Sequence, residues 1–201
     1  MANEPPTEDR DAFDTLGLDP DPRLTRAAIE RAYLVRIAAV HPDHGVSQAS
    51  SDDDATHQRA AMLNHAKRAL QSAEVRANLV LARLGGPSAE QLKDLPEGWL
   101  ASIMQTRMAM EEELAEGDPE AVERWRAWAE DERRGRFERV AAMLDAAAAQ
   151  DSVDLRAVRI ELNAWRYIER LAEQIPGGPM GRTAGVPFGP ESGPAQGTTT
   201  S

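Results

Sequence analysis

A chain of 201 residues, 41% hydrophobic and 28% charged, has room for one helical domain or two small ones. Its net charge of −11 argues against nucleic acid and anionic membrane surfaces as partners, because both reward clustered Lys and Arg. The absence of cysteine removes disulfides, thiol chemistry and zinc-thiolate sites, and fits a reducing compartment.

Residues 1–10 are acidic and Pro-rich, unlike a secretory signal or an Arg-rich transit peptide, and are expected to be disordered. No apolar run approaches the roughly 20 residues that span a bilayer, so a cytoplasmic location is expected. A short helix is predicted from Asp11 to about Leu16, burying Phe13 and Leu16, with Gly17 as its stop. Asp19-Pro-Asp-Pro22 reads as a turn, and Thr25 is placed to cap a helix that runs to Val40. Pro42 has no backbone N–H and pushes His41 out of the α region, so this helix must stop at the tripeptide His41-Pro42-Asp43. Residues 44–54, with Gly45, three serines and three consecutive aspartates, read as a loop, and a long helix is expected from about Ala55 to Leu70. Ile29, Ala32, Tyr33, Ile37 and Val40 form an apolar stripe before the corner, and Met62, Leu63, Ala66, Ala69 and Leu70 form another after it. Two helices with one stripe each should pack antiparallel and hold the tripeptide at their joined end. A further amphipathic stretch, with Val75, Leu79, Val80 and Leu84, runs to Gly85-Gly86-Pro87.

Residues 85–98 are rich in Gly, Pro and Ser and read as a semi-rigid linker between an N-terminal unit, 11–84, and a C-terminal one, 99–175. Three helices are predicted beyond it, from Trp99 to Glu116, from Pro119 to about Ala149, and from after Ser152 to before Pro176. Gly117-Asp118-Pro119 supplies a stop, a cap and a first-turn proline in succession. The fold class is therefore all-α, an antiparallel helical hairpin followed by a three-helix bundle. Leu100, Ile103, Met110 and Leu114 are expected in the core with Leu155, Val158, Leu162, Trp165 and Leu171. Met104 and Met108 lie off that seam and form a second stripe with Glu112 and Glu116, while Tyr167 lies off the seam of the last helix. Methionines and an aromatic beside carboxylates suit an adaptable protein-binding patch, the plainer alternative being a widened core stripe. Residues 176–201 have almost nothing apolar to bury and are expected to be disordered.

The blocks Asp11-Ala-Phe-Asp-Thr-Leu-Gly-Leu18, Ala28-Ile-Glu-Arg-Ala-Tyr33, His41-Pro-Asp43 and Leu63-Asn-His-Ala66, in that order, resemble a J-domain, the module that stimulates ATP hydrolysis by DnaK-type chaperones. The C-terminal half narrows the resemblance to the iron–sulfur J-protein co-chaperones of the HscB type, through Met104 to Glu116 and Trp165-Arg-Tyr-Ile-Glu-Arg-Leu171. That resemblance implies a non-enzymatic co-chaperone with two partners, a DnaK/HscA-type ATPase and an IscU-like scaffold protein, and no cofactor. It further implies that His41, Pro42, Asp43, Arg26, Arg31 and Arg36 face the chaperone, and that Met104, Met108, Glu112, Glu116 and Tyr167 face the client. Gln105 and Ala109 depart from the client helix of the family, which has Met and Glu there. Leu34, Val35 and Ala39 stand where the family commonly carries Lys or Arg, and Arg36 where a buried leucine is usual, so its stem is expected to snorkel over the core.

Other readings of the same residues are weaker. His41, His44 and Asp52–Asp54 could be drawn as a metal site, but a loop without a helical pair of ligands is a poor cage. His57 and His65 read as solvated or packing residues. His41 and Asp43 have no nucleophile, phosphate loop or oxyanion device to serve. The charges from Glu130 to Arg139 read as a solvated helix face with i, i+4 pairs. The remaining alternatives to an HscB-type function are a J-protein with a different client and a helical interaction protein with a degenerate J-domain.

Overall fold

A computed structural model describes residues 12–40, 51–149 and 153–177, without the side chains of 51–54. His41, Pro42, Asp43 and His44, and the terminal segments 1–10 and 178–201 expected to be disordered, lie outside the described residues. Among the described residues there are seven helices and no strand: α1 (Ala12–Leu16), α2 (Arg26–Val40), α3 (Ser51–Gln71), α4 (Ala73–Arg83), α5 (Trp99–Ala115), α6 (Pro119–Ala148) and α7 (Leu155–Gln174).

Helix ends fall where the local chemistry demands them. Gly17 turns to φ +63° and Leu18 N–H donates to the Phe13 carbonyl at 2.9 Å, closing α1. The Thr25 hydroxyl accepts from Ala28 N–H at 3.2 Å at the start of α2. Asp118 caps α6 by accepting from Glu120 and Ala121 N–H, ahead of Pro119. The start of α3 differs from expectation, since the helix begins at Ser51 and takes in the three aspartates assigned to the loop. Serine and aspartate are favoured in a first helical turn, where the exposed N–H groups and the helix dipole meet negative charge, so polarity alone misplaced this boundary.

α2 and α3 run antiparallel. Tyr33 Oη donates to Asn64 Oδ1 at 2.9 Å, and Lys67 Nζ lies 2.8 Å from the Glu30 carboxylate and 4.2 Å from the centre of the Tyr33 ring. Phe13 and Leu16 of α1 close one side of the hairpin core with Ile29, Leu63, Ala66 and Leu70, all buried. Met62 departs from its expected stripe and is exposed, about 100° around α3 from buried Leu63.

The buried cluster continues without a gap from the hairpin through α4 into α5, α6 and α7. Leu79, Val80 and Leu81 of α4 meet Val140 and Leu144 of α6 and Val158 and Leu162 of α7 in that cluster. Residues 85–98 are fixed along α7: Leu92 is buried, Arg159 Nε donates to the Pro87 carbonyl at 2.9 Å, and Asn163 Nδ2 donates to the carbonyls of Leu92 and Asp94 at 2.9 and 3.0 Å. Arg23, in the turn before α2, pairs with Asp145 of α6. Arg76 donates to the carbonyls of Pro22, at 3.1 Å, and of Leu70, joining α3 to α4.

The charged run of α6 is more than a solvated face. Arg133 reaches Glu169 on α7 at 2.6 Å, and Arg136, nearly buried, pairs with Glu161 and stacks 4.1 Å from the centre of the Trp99 ring. Arg136 stands on the same seam as Ala129, two turns before it, and Val140, one turn after it, so α7 must answer its charge with a carboxylate.

Candidate functional site

Two surfaces carry the residues singled out in the sequence. On the first, Arg26, Arg31 and Arg36 are all exposed on α2, whose last residue, Val40, directly precedes His41 in the chain. They do not form one row. Arg36 lies about 140° around the helix from Arg31, and its guanidinium rests against Gly17: a Cβ built there would stand 1.8 Å from Arg36 Nη2. The arginine stem thus crosses the seam between α1 and α2, the snorkelling geometry expected for a charge at a core position. Leu34 and Val35 are 54% and 68% exposed. His57 and His65 are exposed on α3.

The second surface is the outer face of α5. This helix buries only Ile103 and Met110. Met104 and Met108 are 44% and 67% exposed, as their position off the seam predicts, and Glu112 and Glu116 are exposed one and two turns further on. Leu100 is a correction, because it is 52% exposed and not in the core. Leu100, Met104 and Met108 recur every fourth residue and form one continuous apolar ridge, about 12 Å long at 1.5 Å per residue.

Tyr167 is half-buried beside this ridge. It lines a cleft with apolar walls between α5 and α7, together with Ile103, Met104, Arg107, Arg170, Leu171 and Gln174. The structure therefore joins Tyr167 to Met104 directly, while Met108, Glu112 and Glu116 continue the ridge away from the cleft. Arg107 Nε donates to Glu111 at 2.7 Å along the helix, and Glu113 turns inward to accept from Arg124 and the Trp125 indole at 3.1 and 3.2 Å. Gln105 and Ala109, the two departures from the family pattern, are both exposed on this helix. The sequence reading missed Leu100, Arg107 and Arg170. The four-residue step from Leu100 to Met104 was the available signal for the first.

The exposed face of α5 thus combines an apolar ridge, a cleft shared with α7 and a carboxylate-rich end. Among the described residues no three His, Cys, Asp or Glu side chains meet as metal ligands. No described helix is long and apolar enough to cross a membrane.

No protein-family model matches the chain. It is 29% identical over 164 residues to a protein of Burkholderia multivorans described as a co-chaperone protein HscB homolog, covering 81% of this chain and 90% of that protein. A homolog of the same description from Bordetella petrii is 26% identical over 166 residues, 82% of this chain and 94% of its relative. Among solved structures, the chaperone HscB from Vibrio cholerae superposes with a TM-score of 0.65 at 19% identity, over 82% of this chain and 94% of that one. The human co-chaperone protein HscB gives 0.64 at 20% identity, over 87% and 84%. The all-α architecture read from the sequence, a J-like hairpin with a C-terminal bundle, is the architecture of those structures.

Proposed function

We propose that this chain, similar in sequence to HscB co-chaperone homologs and in fold to HscB structures, stimulates a DnaK/HscA-type ATPase through His41-Pro42-Asp43 and delivers to it an IscU-like iron–sulfur scaffold held on α5 and α7. The observation that carries this reading is the pairing, in one packed molecule, of a helical hairpin joined by a His-Pro-Asp tripeptide with an exposed apolar ridge on the bundle. Arg26, Arg31 and Arg36 of α2 are then assigned, with the tripeptide, to the chaperone contact. Met104, Met108 and Tyr167 meet the client, with Glu112 and Glu116 at the rim. The chain performs no chemistry itself and takes no cofactor. It acts by favouring the hydrolysis-competent state of the ATPase, a coupling between sites in the partner. Its proposed site of action is the cytoplasm.

A second reading keeps the chaperone and changes the client, because Gln105 and Ala109 remove two groups from the exposed face of α5. The test of the first half is single-turnover ATP hydrolysis by the purified chaperone with wild type and His41→Gln. The expected result is stimulation by wild type and none by the variant, at matching far-ultraviolet circular dichroism. Equal stimulation by the two would overturn the co-chaperone reading. Retention of an IscU-type scaffold on immobilised wild type separates the two clients.

A further inference from the structure

The exposed face of α2 changes character along its length. Its last two turns present Leu34, Val35 and Ala38, all exposed, with no charge among them; Arg31 precedes them on the same arc, and Arg26, at the start of the helix, lies about 140° around from Arg31. The one charged residue in those turns, Arg36, is directed to Gly17 on another side of the helix. The one carboxylate of α2, Glu30, is half-buried and committed to Lys67 at 2.8 Å. The face thus has a basic end and an apolar end, and the apolar end is the one that leads into His41.

We propose that this chain engages its chaperone through an apolar contact centred on Leu34 and Val35, with Arg26 and Arg31 as peripheral charges, so that the partner presents an apolar patch edged by carboxylates. This rests on the co-chaperone reading above and gives the chemistry of its chaperone contact. Charge complementarity selects this occupant over a second copy of the chain. No exposed residue of α2 is acidic, so a copy laid helix against helix offers Arg26 and Arg31 no partner, and two chains of net charge −11 repel. A patch of three small or medium side chains also falls far short of the roughly 800 Å² per partner of a stable complex, and suits an encounter that must end with each cycle. Charge at the rim sets association rate, whereas desolvated apolar centres set lifetime. Binding dominated by Leu34 and Val35 should therefore respond little to salt, which screens exposed charges beyond about 8–10 Å near physiological ionic strength.

The experiment measures stimulation of the purified DnaK-type ATPase at 50 to 300 mM salt, a range across which a charge-led contact would be progressively screened. Wild type is compared with Leu34→Ser/Val35→Ser and with Arg26→Ala/Arg31→Ala; all substituted positions are exposed, and circular dichroism reports folding. The expected result is a rise of about tenfold or more in the half-maximal concentration for the serine pair, as for loss of an interface anchor. The alanine pair should change it by less than about threefold, mainly at low salt, as rim charges do. Wild type should vary little across the series. A serine pair that stimulates like wild type, or a steep loss of wild-type stimulation with salt, would overturn the apolar contact and leave the co-chaperone reading standing. Wild type that fails to stimulate at any salt would remove both. A dimer in sedimentation that the serine pair disperses while stimulation is unchanged would assign the patch to a second copy instead.

Discussion

Arg159 Nη1 on α7 donates to Asn78 Oδ1 on α4 at 2.6 Å, while Asn78 Nδ2 donates back along its own helix to Glu74 Oε1 at 2.7 Å. This chain of bonds crosses the seam between the hairpin unit and the bundle, and Arg159 also holds Pro87 at the start of the connecting segment. Burial lowers the Arg159 guanidinium to about 10, offset in part by the nearby Glu74 charge, so the group remains cationic at neutral pH and must keep its partners. Replacing Arg159 with Ala strands the Asn78 and Pro87 oxygens at a buried seam. It should cost about 2–4 kcal/mol, read as a fall in the urea midpoint. A midpoint equal to wild type would mean that water replaces the guanidinium without loss.

Glu74 gives this seam a pH dependence of unusual sign. Desolvation raises its pKa above the ordinary carboxylate value of 4.5 despite opposing attraction from Arg166 and Arg159 and the Asn78 hydrogen bond, while Glu169 adds repulsion. The folded state therefore holds the proton more tightly than the unfolded chain, and this group's contribution to stability is present at low pH and declines as pH rises through its folded value. Glu74→Gln keeps an oxygen for Asn78 and removes the buried charge. It should melt at or above wild type at pH 7–8, with the gain shrinking toward pH 4. A variant that melts lower at pH 8 would show that attraction to the two arginines outweighs burial.

Much of this architecture was legible because stop and start signals coincide with loss of apolar periodicity. Gly17, Thr25, Gly85-Gly86-Pro87 and Gly117-Asp118-Pro119 each act within a turn of the residues they bound, so the helix ends they mark could be read locally. Long-range relations could not. Leu100 has the spacing of a core residue, yet it is exposed. Arg133 and Arg136 look like any charged helix face until α7 brings Glu169 and Glu161 opposite them. The sequence likewise shows the odd placement of Arg36 but not that Gly17 receives it.

That contact makes a double-mutant cycle informative. Gly17 has φ +63°, so Gly17→Ala should cost about 1–2 kcal/mol for the left-handed backbone alone. The new methyl also collides with the Arg36 guanidinium, which is the far end of a flexible side chain and can move aside. Combining it with Arg36→Ala should therefore recover only the small part of the loss due to collision, a coupling well below the backbone cost. Full recovery in thermal melts would show that the clash dominates.

The proposed client face provides the sharpest separation of folding from binding. Leu100, Met104 and Met108 are exposed on α5, so Met104→Ala/Met108→Ala and Leu100→Ala remove little buried area and should leave the melting temperature near that of wild type. Ile103 is buried one residue away, and Ile103→Ala should cost about 2–5 kcal/mol of stability. Affinity for a purified IscU-type scaffold should move the other way. The methionine pair should lose about 1–3 kcal/mol of binding, as interface anchors do, and Leu100→Ala should add to that loss if the ridge is contacted along its whole length. Tyr167→Ala tests the cleft, since it opens the wall against Met104 and should weaken binding with a modest cost in stability. Titration calorimetry and melting on the same samples decide the matter. Variants that melt early would return the methionines to the core. Variants that melt normally and bind the scaffold like wild type would move the client to another surface.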